Sequence, residues 1–349
     1  MDKILIDSQV KHFVYLQRLG AHHANNAAKK INKLSGEIKK QIPAGLNKLS
    51  KRELNELLRQ INNLQKNAHD KILSEYRESI DEIAVHEAER EESVINSVIN
   101  TEDFTAEKIT AAAVLLAIRD APMSVGQNGS GVLPELLLKN WEQRQREIIG
   151  GTIRQGWFEG RESGVIIEQL EEAARVVGVL AFNAISRSLI NHISQIARAE
   201  VWKKNSGLAK GWKFVAVLDS ITGKICINLH SLDAIYKIGF GPYPPRHVNC
   251  RSTSVIVIKD EFMKTKPIRQ VAIGSDGVKR TTAKTYYDWI KTQPKYFVED
   301  VLGKTRARLL LSGKLSSKLF AQLSLDRNFQ PLTLAEMKQR DKYDLDFDG

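Results

Sequence analysis

Two cysteines and two histidines carry most of the chemistry that this chain of 349 residues could perform. Cys226 precedes His230 by one helical turn's worth of sequence, and His247 precedes Cys250 by slightly less. Thiolate and imidazole pairs at such spacings could close around a tetrahedral zinc, provided each thiol has lost its proton and each imidazole is neutral. Isolated cysteines are a weaker zinc signal than two C-x-x-C knuckles. The preferred alternative packs Cys226 and Cys250 side by side as small apolar groups, open to disulfide formation outside a reducing compartment. His247 would then hydrogen-bond a backbone carbonyl or Asp219 and hold its loop. A third reading joins Asp219, His247 and a metal ion in a nuclease-like site, where the ion activates water. Neither a second carboxylate cluster nor a G-x-S-x-G elbow accompanies those residues. No catalytic residue is therefore assigned, the chain is read as non-enzymatic, and zinc is the one cofactor its residues suggest.

These side chains share one segment, Phe214 to Ile258, FVAVLDSITGKICINLHSLDAIYKIGFGPYPPRHVNCRSTSVIVI. Lys213–Leu218 and Ser252–Ile258 are rich in valine and isoleucine, which predicts two short strands. The first runs into Asp219, and Arg251 stands just before the second, so an Asp219–Arg251 pair should span the strands and fix both ends of the loop. Pro242, Pro244 and Pro245 restrict that Gly- and Pro-rich loop before folding. The expected result is a rigid hook clasped between neighbouring strands, with the two sulfurs adjacent.

Asp219, Thr222, Cys226, Pro244, Pro245, His247, Cys250 and Arg251, closing in PPRHVNCRS, resemble the C-terminal module of the phage Mu F-like head-morphogenesis family. Upstream, Ile196–Glu200 (IARAE) stands where that family carries a helical stretch rich in alanine, arginine and threonine. Downstream, Thr285 to Leu334 resembles the region that comes after the module. The resemblance covers the chain from about Leu133 onward. It departs from the family at Ile221, often arginine there, at Gly223, often Cys, Ser or Thr, and at His230 and Ser231, where Asp-Gly is usual. What it implies is a low-copy minor head protein of a tailed phage, held near the portal inside the head of the virion after assembly in the host cytoplasm. Portal protein, major capsid protein or both would be its partners, and the chain could leave with the genome. Two further classes stay open: a zinc-dependent DNA-processing enzyme, and a purely structural portal adaptor without DNA contact.

The elements around this segment read as helices. Leu54, Leu57, Ile61, Leu64, Ala68, Ile72, Tyr76, Ile80 and Ile83 recur at steps of three and four, one helical face, and Ser50 with Glu53 offers a capping box for its start. That helix should run from Lys51 into the high nineties. Earlier, Ser8 to Lys40 ends before Pro43, and later Thr105 to Arg119 ends before Pro122. Pro134 opens a helix to about Ile149, and Ser163 another, broken once, to about Lys204. No run approaches the roughly 18 uninterrupted apolar residues of a membrane span. Whether the long helices pair within one chain or between copies is not set by their pattern, so an oligomer stays open.

A net charge of +11 makes a polyanion a reasonable partner, since neutralising phosphates releases counterions. Eight basic residues against Glu37 between Lys29 and Arg52, and eleven acids against Arg77 and Arg90 between Glu75 and Glu107, read first as attracting faces of a helical hairpin. Thirteen Lys and Arg against four acids fill Lys264 to Lys318, with Tyr286, Tyr287, Trp289, Tyr296 and Phe297 interleaved. Lys279, Arg280, Lys284, Lys291, Lys295, Lys304, Arg306, Arg308 and Lys314 are thus candidates to face double-stranded DNA. The aromatics fit a small core better than a base-stacking surface. The acidic end, Asp341 to Asp348, should be frayed.

The fold class expected is mainly α: long N-terminal helices, a helical region, then a small α+β module with a short antiparallel sheet. The expected boundaries are 1–122 for the long helices, 123–132 for a linker centred on SVGQNGSG, 133–210 for the helical region, 211–260 for the module and 261–349 for the basic C-terminal region with its acidic tail.

Overall fold

The computed structural model describes residues 3–100, 104–125, 130–263, 270–274, 277–281 and 285–347, with side chains for 8–100, 104–125, 130–263 and 285–347. The protein is mainly helical, with a small antiparallel sheet in its second half, as the hydrophobic spacing predicts. Part of the expected linker, 126–129, lies outside the described residues.

Helices α1 (Lys3–Gln41) and α2 (Lys51–Val98) flank a short turn at Leu46–Lys48. The start of α2 is fixed as expected. Ser50 N and Oγ both donate to Glu53 Oε2, and Glu53 N donates back to Ser50 Oγ. Helix α3 (Ala111–Asp120) begins later than the expected Thr105. The backbone N–H of Ala106 is taken by Asn96 Oδ1 and that of Glu107 by Asn205 Oδ1, so side-chain partners replace the helical ladder until Thr110 caps Ala113. Helix α4 (Pro134–Phe158) continues past Ile149, and Gly156 near its end lets Ile166 pack close, since an added Cβ would meet that side chain at 2.5 Å. Helices α5 (Ser163–Ala173) and α6 (Ala181–Lys204) are separated by a π-helical stretch at Ala174–Leu180, which is the expected single break.

Two compact units interleave along the chain. One takes Leu16–Ile83 and Val132–Ile190. Its core includes Leu34, Ile38, Leu58, Ile61, Ile153 and Ile166, all buried. An aromatic cluster of His69, Trp141, Phe182 and Tyr76 lies in the same unit, and the Trp141 indole N–H donates to the Gly178 carbonyl of the π-helical stretch. The expected attraction between charge blocks appears here as the Lys30–Glu75 ion pair, and Lys39 pairs with Glu171.

The other unit takes Met1–Tyr15, Ala84–Gly131 and Asn191–Gly349. Its sheet pairs β1 (Ala209–Val215) with β2 (Thr253–Ile258) antiparallel, with Trp212 opposite Ile256 and Phe214 opposite Ser254. The first strand starts and ends earlier than the expected Lys213–Leu218. It begins with a bulge at Gly211, where φ is +150° and an added Cβ would meet the Tyr236 carbonyl at 2.3 Å. A hairpin of β3 (Gln270–Gly274) and β4 (Gly277–Thr281), not expected from the sequence, precedes a run of short helices: α8 (Tyr286–Ile290), α9 (Lys295–Leu302), α10 (Lys304–Leu311), α11 (Ser317–Leu323) and α12 (Leu334–Gln339). These helices share one apolar core with residues just beyond β1, since Leu218 and Ile227 pack with Tyr286, Trp289, Leu310 and Phe320.

By length and mean hydropathy (1.4 over its best window), Ser163–Lys204 could cross a membrane. Asn191, Gln195 and Arg198 on that run are buried, and their hydrogen bonds go to protein groups.

Candidate functional site

The loop motif is held from both sides of the sheet's end. Asp219, just beyond β1, receives Nη1 and Nη2 of Arg251 at 2.6 and 2.7 Å, a bidentate pair across the strand ends, as expected. The same carboxylate accepts the Ile221 N–H at 3.1 Å and the Thr222 hydroxyl at 2.9 Å, and that hydroxyl also reaches the Val217 carbonyl at 2.7 Å. Thr222 therefore closes the turn out of β1. The Tyr286 hydroxyl donates to the Asp219 backbone carbonyl, tying α8 to the same corner. Asp219 to alanine would leave Arg251 and the Ile221 N–H unmatched in a half-buried site. We expect a loss of about 2–3 kcal/mol, and a coupling of at least about 1 kcal/mol to Arg251→Ala in a double-mutant cycle. Additive losses in urea unfolding would show that the pair is ornamental.

After Thr222 the chain forms a buried helix, α7 (Lys224–Ser231), which presents Cys226 inward, in place of the loop expected from the glycines and prolines. Eight residues between glycine-rich flanks are too few for a clear helical period, so the pattern hid it. Beyond α7 the chain folds around Trp212. The indole of this fully buried residue stacks on Tyr243 at 4.1 Å, lies 4.8 Å from the Tyr236 ring, and donates to the Phe240 carbonyl at 2.8 Å. Trp212 and Tyr236 also exchange backbone hydrogen bonds at 2.9 and 2.8 Å. Sequence patterning singles out none of these three aromatics. Their signal is an aromatic inside the strand and two more inside a segment otherwise built of glycine and proline.

This wrapping brings the loop back to α7. Cys226 Sγ lies 3.5 Å from Cys250 Sγ and 3.3 Å from His247 Nε2. Both cysteines are buried and unbridged, and the adjacency expected of the sulfurs is met. His247 hydrogen-bonds a backbone carbonyl, one of its two expected partners, with Nδ1 at 2.9 Å from Val248 O. The Pro244–Pro245 peptide is cis. Among the described residues, the ligand atoms of Cys226, His247 and Cys250 fall within 4.8 Å of one another. His230, the fourth member of the zinc set read from sequence, does not belong to that group. It sits one turn beyond Cys226 and is buried. Asp219 is outside the group too, its two oxygens engaged by Arg251, so the nuclease-like trio of Asp219, His247 and a metal is not assembled.

Burial raises both thiols, but their mutual contact separates them. The Cys226 thiol is pushed further up by its partner, while Cys226 and His247 together hold Cys250 well below the ordinary thiol range. Burial opposes charge on His247, yet Cys250 beside it raises its pKa on balance. The trio thus favours one shared negative charge on sulfur, with Arg246 close enough for both cysteines to act on it.

Two polar side chains on α6 fasten the second strand. Asn191 Nδ2 donates to the Cys250 and Ser252 carbonyls at 3.0 and 3.1 Å. Arg198, the arginine of IARAE, is 1% exposed and donates to the Ser254 carbonyl at 2.8 Å and to Thr253 Oγ1 at 3.0 Å. Next to the loop opens a cavity of about 650 Å³ whose wall includes Leu116, Ile196, Tyr243 and Pro244.

The basic C-terminal candidates differ in burial and in partners. Lys279, Arg280 and Lys284 lie outside the residues whose side chains are described. Arg306 donates to the Leu332 carbonyl, Arg308 to Asp346 O and Lys314 to Asp344 O, so these three bind the chain's own backbone. Lys291 is half-buried, whereas Lys295 and Lys304 are exposed. Tyr286, Tyr287 and Trp289 are buried in the core, and of the interleaved aromatics Tyr296 is exposed. The acidic tail is docked rather than frayed through residue 347: Leu345 is buried, Phe347 packs on the same core, and Asp341 accepts the N–H groups of Tyr343 and Leu345. Two basic donors and an apolar anchor outweigh its charge.

Comparison with protein-family models, with curated proteins and with solved structures finds no match.

Proposed function

We propose that this chain is a minor head protein of a tailed phage, acting in head morphogenesis near the portal. The reading rests on the residues that resemble the Mu F-like module. The observation that carries it is the clasp: Asp219 and Arg251 lock the two strand ends, and the loop returns His247 and Cys250 against Cys226. In such a clasp the motif's polar groups are consumed in holding a shape. A shape held this rigidly suits docking onto a capsid or portal surface, because little conformational entropy is lost when it binds. The neighbouring cavity, with apolar Leu116 and Ile196 in its wall, offers a partner side chain somewhere to insert.

The DNA-contacting part of the reading rests on Lys295 and Lys304, because Arg306, Arg308 and Lys314 are engaged within the chain. Lysines so few in number would position the protein against packaged duplex without reading sequence. The decisive experiment is immunodetection of the chain in purified particles before and after genome release. Recovery in full heads at low copy, with portal protein in the same detergent-resistant complex, is the expected result. A chain found only in the unassembled cytosolic fraction would overturn the assignment.

A further inference from the structure

We propose that Cys226, Cys250 and His247 form a site for one zinc-class divalent cation, with the fourth coordination position left to water. The inference is independent of the phage reading. Around a tetrahedral zinc with bonds of about 2.3 Å to sulfur and about 2.0 Å to nitrogen, two sulfurs stand roughly 3.8 Å apart and a sulfur and a nitrogen roughly 3.6 Å apart. The sulfurs here are 3.5 Å apart, and Cys226 Sγ is 3.3 Å from His247 Nε2. Both distances from Cys226 stand within a few tenths of an ångström of what a single ion would impose, and all three ligand atoms lie within 4.8 Å of one another. A disulfide would need the sulfurs at about 2.0 Å and would leave the histidine without a purpose.

The surroundings agree with the distances. A metal-binding imidazole presents one nitrogen to the ion and donates its other ring N–H to a carbonyl or carboxylate, which fixes its tautomer and orientation. His247 has this arrangement, with Nδ1 on the Val248 carbonyl and Nε2 turned to the sulfurs. Space for the ring depends on Gly223, the residue before α7, where an added Cβ would stand 2.8 Å from His247 Nε2. Two thiolates and a divalent ion are together neutral, so the buried site gains no net charge on loading, and the half-exposed His247 edge provides the way in.

An ion here would staple α7 to the PPRHVNCRS loop, adding its binding free energy to the folded state alone.

The test uses the full-length protein and cobalt(II) alone. Metal-free protein titrated with Co²⁺ should bind one equivalent, showing the intense visible bands of tetrahedral cobalt and a near-ultraviolet thiolate charge-transfer band. Cys226→Ser and Cys250→Ser should each lose the tetrahedral spectrum, whereas His230→Gln should keep it. His247→Cys should also keep it, with charge-transfer intensity rising about 1.5-fold as two thiolates become three. Should the serine variants fail to fold, the wild-type titration and His247→Cys still decide. Folded wild type that gives no tetrahedral spectrum, or a Cys226–Cys250 disulfide in freshly purified reduced protein, would overturn the proposal. So would an unaltered spectrum in folded Cys250→Ser.

Discussion

Arg198→Ala should lower the stability of the unit that carries the motif by roughly 3–5 kcal/mol, the cost of removing one partner from a buried polar network. Arg198 has no water to fall back on. Its guanidinium is 1% exposed and reaches the carbonyls of Ser194 and Ser254, Gln195 Oε1 and Thr253 Oγ1. Burial lowers its pKa, and buried Glu91 and Glu87 push it back up. Those carboxylates are themselves engaged, Glu91 by Gln9 and by the Trp202 indole, each at 2.7 Å, and Glu87 by Ser194 and His12. Removing the arginine would leave the Ser254 carbonyl and Thr253 hydroxyl of β2 unmatched and take from both acids a cation that acts on them. Arg198→Lys keeps the charge but not the planar fork, so it should lose less than alanine and still more than about 1 kcal/mol. Urea unfolding read by tryptophan fluorescence measures both. An alanine variant within about 1 kcal/mol of wild type would mean that β2 is held by its pairing with β1 alone.

Arg198 also shows where reading the sequence stops. The long helices are legible because their apolar positions repeat every three to four residues and because Ser50 and Glu53 stand where a cap belongs. Both are local signals. The late start of α3 is not legible, because side-chain oxygens of Asn96 on the preceding helix and of Asn205, 98 residues on from Glu107, hold Ala106 and Glu107 out of the helix. An arginine on an amphipathic helix likewise looks solvated until its partners on β2 are known. Composition gives no means of pairing residues some fifty positions apart.

In the motif, the same distinction separates the legible from the hidden. The Asp219–Arg251 pair and the neighbouring sulfurs are implied by two valine-rich strands and a proline-stiffened loop, since strand pairing forces the flanking residues together. The separation of His230 from the ligand group is not implied, because the spacing between Cys226 and His230 suits a shared helical face as well as a shared ion. Gly223 looks in the sequence like a departure from the family pattern. The structure gives it a positive role, since the His247 ring occupies the space where a side chain would stand. Trp212 is inconspicuous for a simpler reason: a tryptophan in a strand is ordinary, and its use as the post around which the loop is wound needs the loop's path.

Acid should weaken this protein as pH falls from about 6.5 to about 4. His69 and His192 are buried, and burial lowers each from 6.5 to about 4, with Arg146 adding to the effect on His69. A histidine kept neutral in the folded state but free to take a proton near 6.5 when unfolded favours the unfolded chain as pH falls. Stability from this source is complete above about pH 6.5, declines between 6.5 and 4, and changes no further below. From about pH 7 to about pH 5 each residue accounts for roughly 2 kcal/mol. The two lie in different compact units, so both units should weaken together. Glu87, held below the ordinary carboxylate range by His12 and Ser194 in spite of its burial, extends the decline at lower pH, because its contribution is lost as it becomes protonated. His69→Gln and His192→Gln carry neutral amides that cannot titrate. Each should flatten the fall of the urea midpoint between about pH 7 and about pH 5, and the double variant should flatten it most. Midpoints of the variants that run parallel to wild type across that interval would show that the histidines are protonated in the folded protein, and that the buried surroundings of His69 and His192 are open enough to admit a charge.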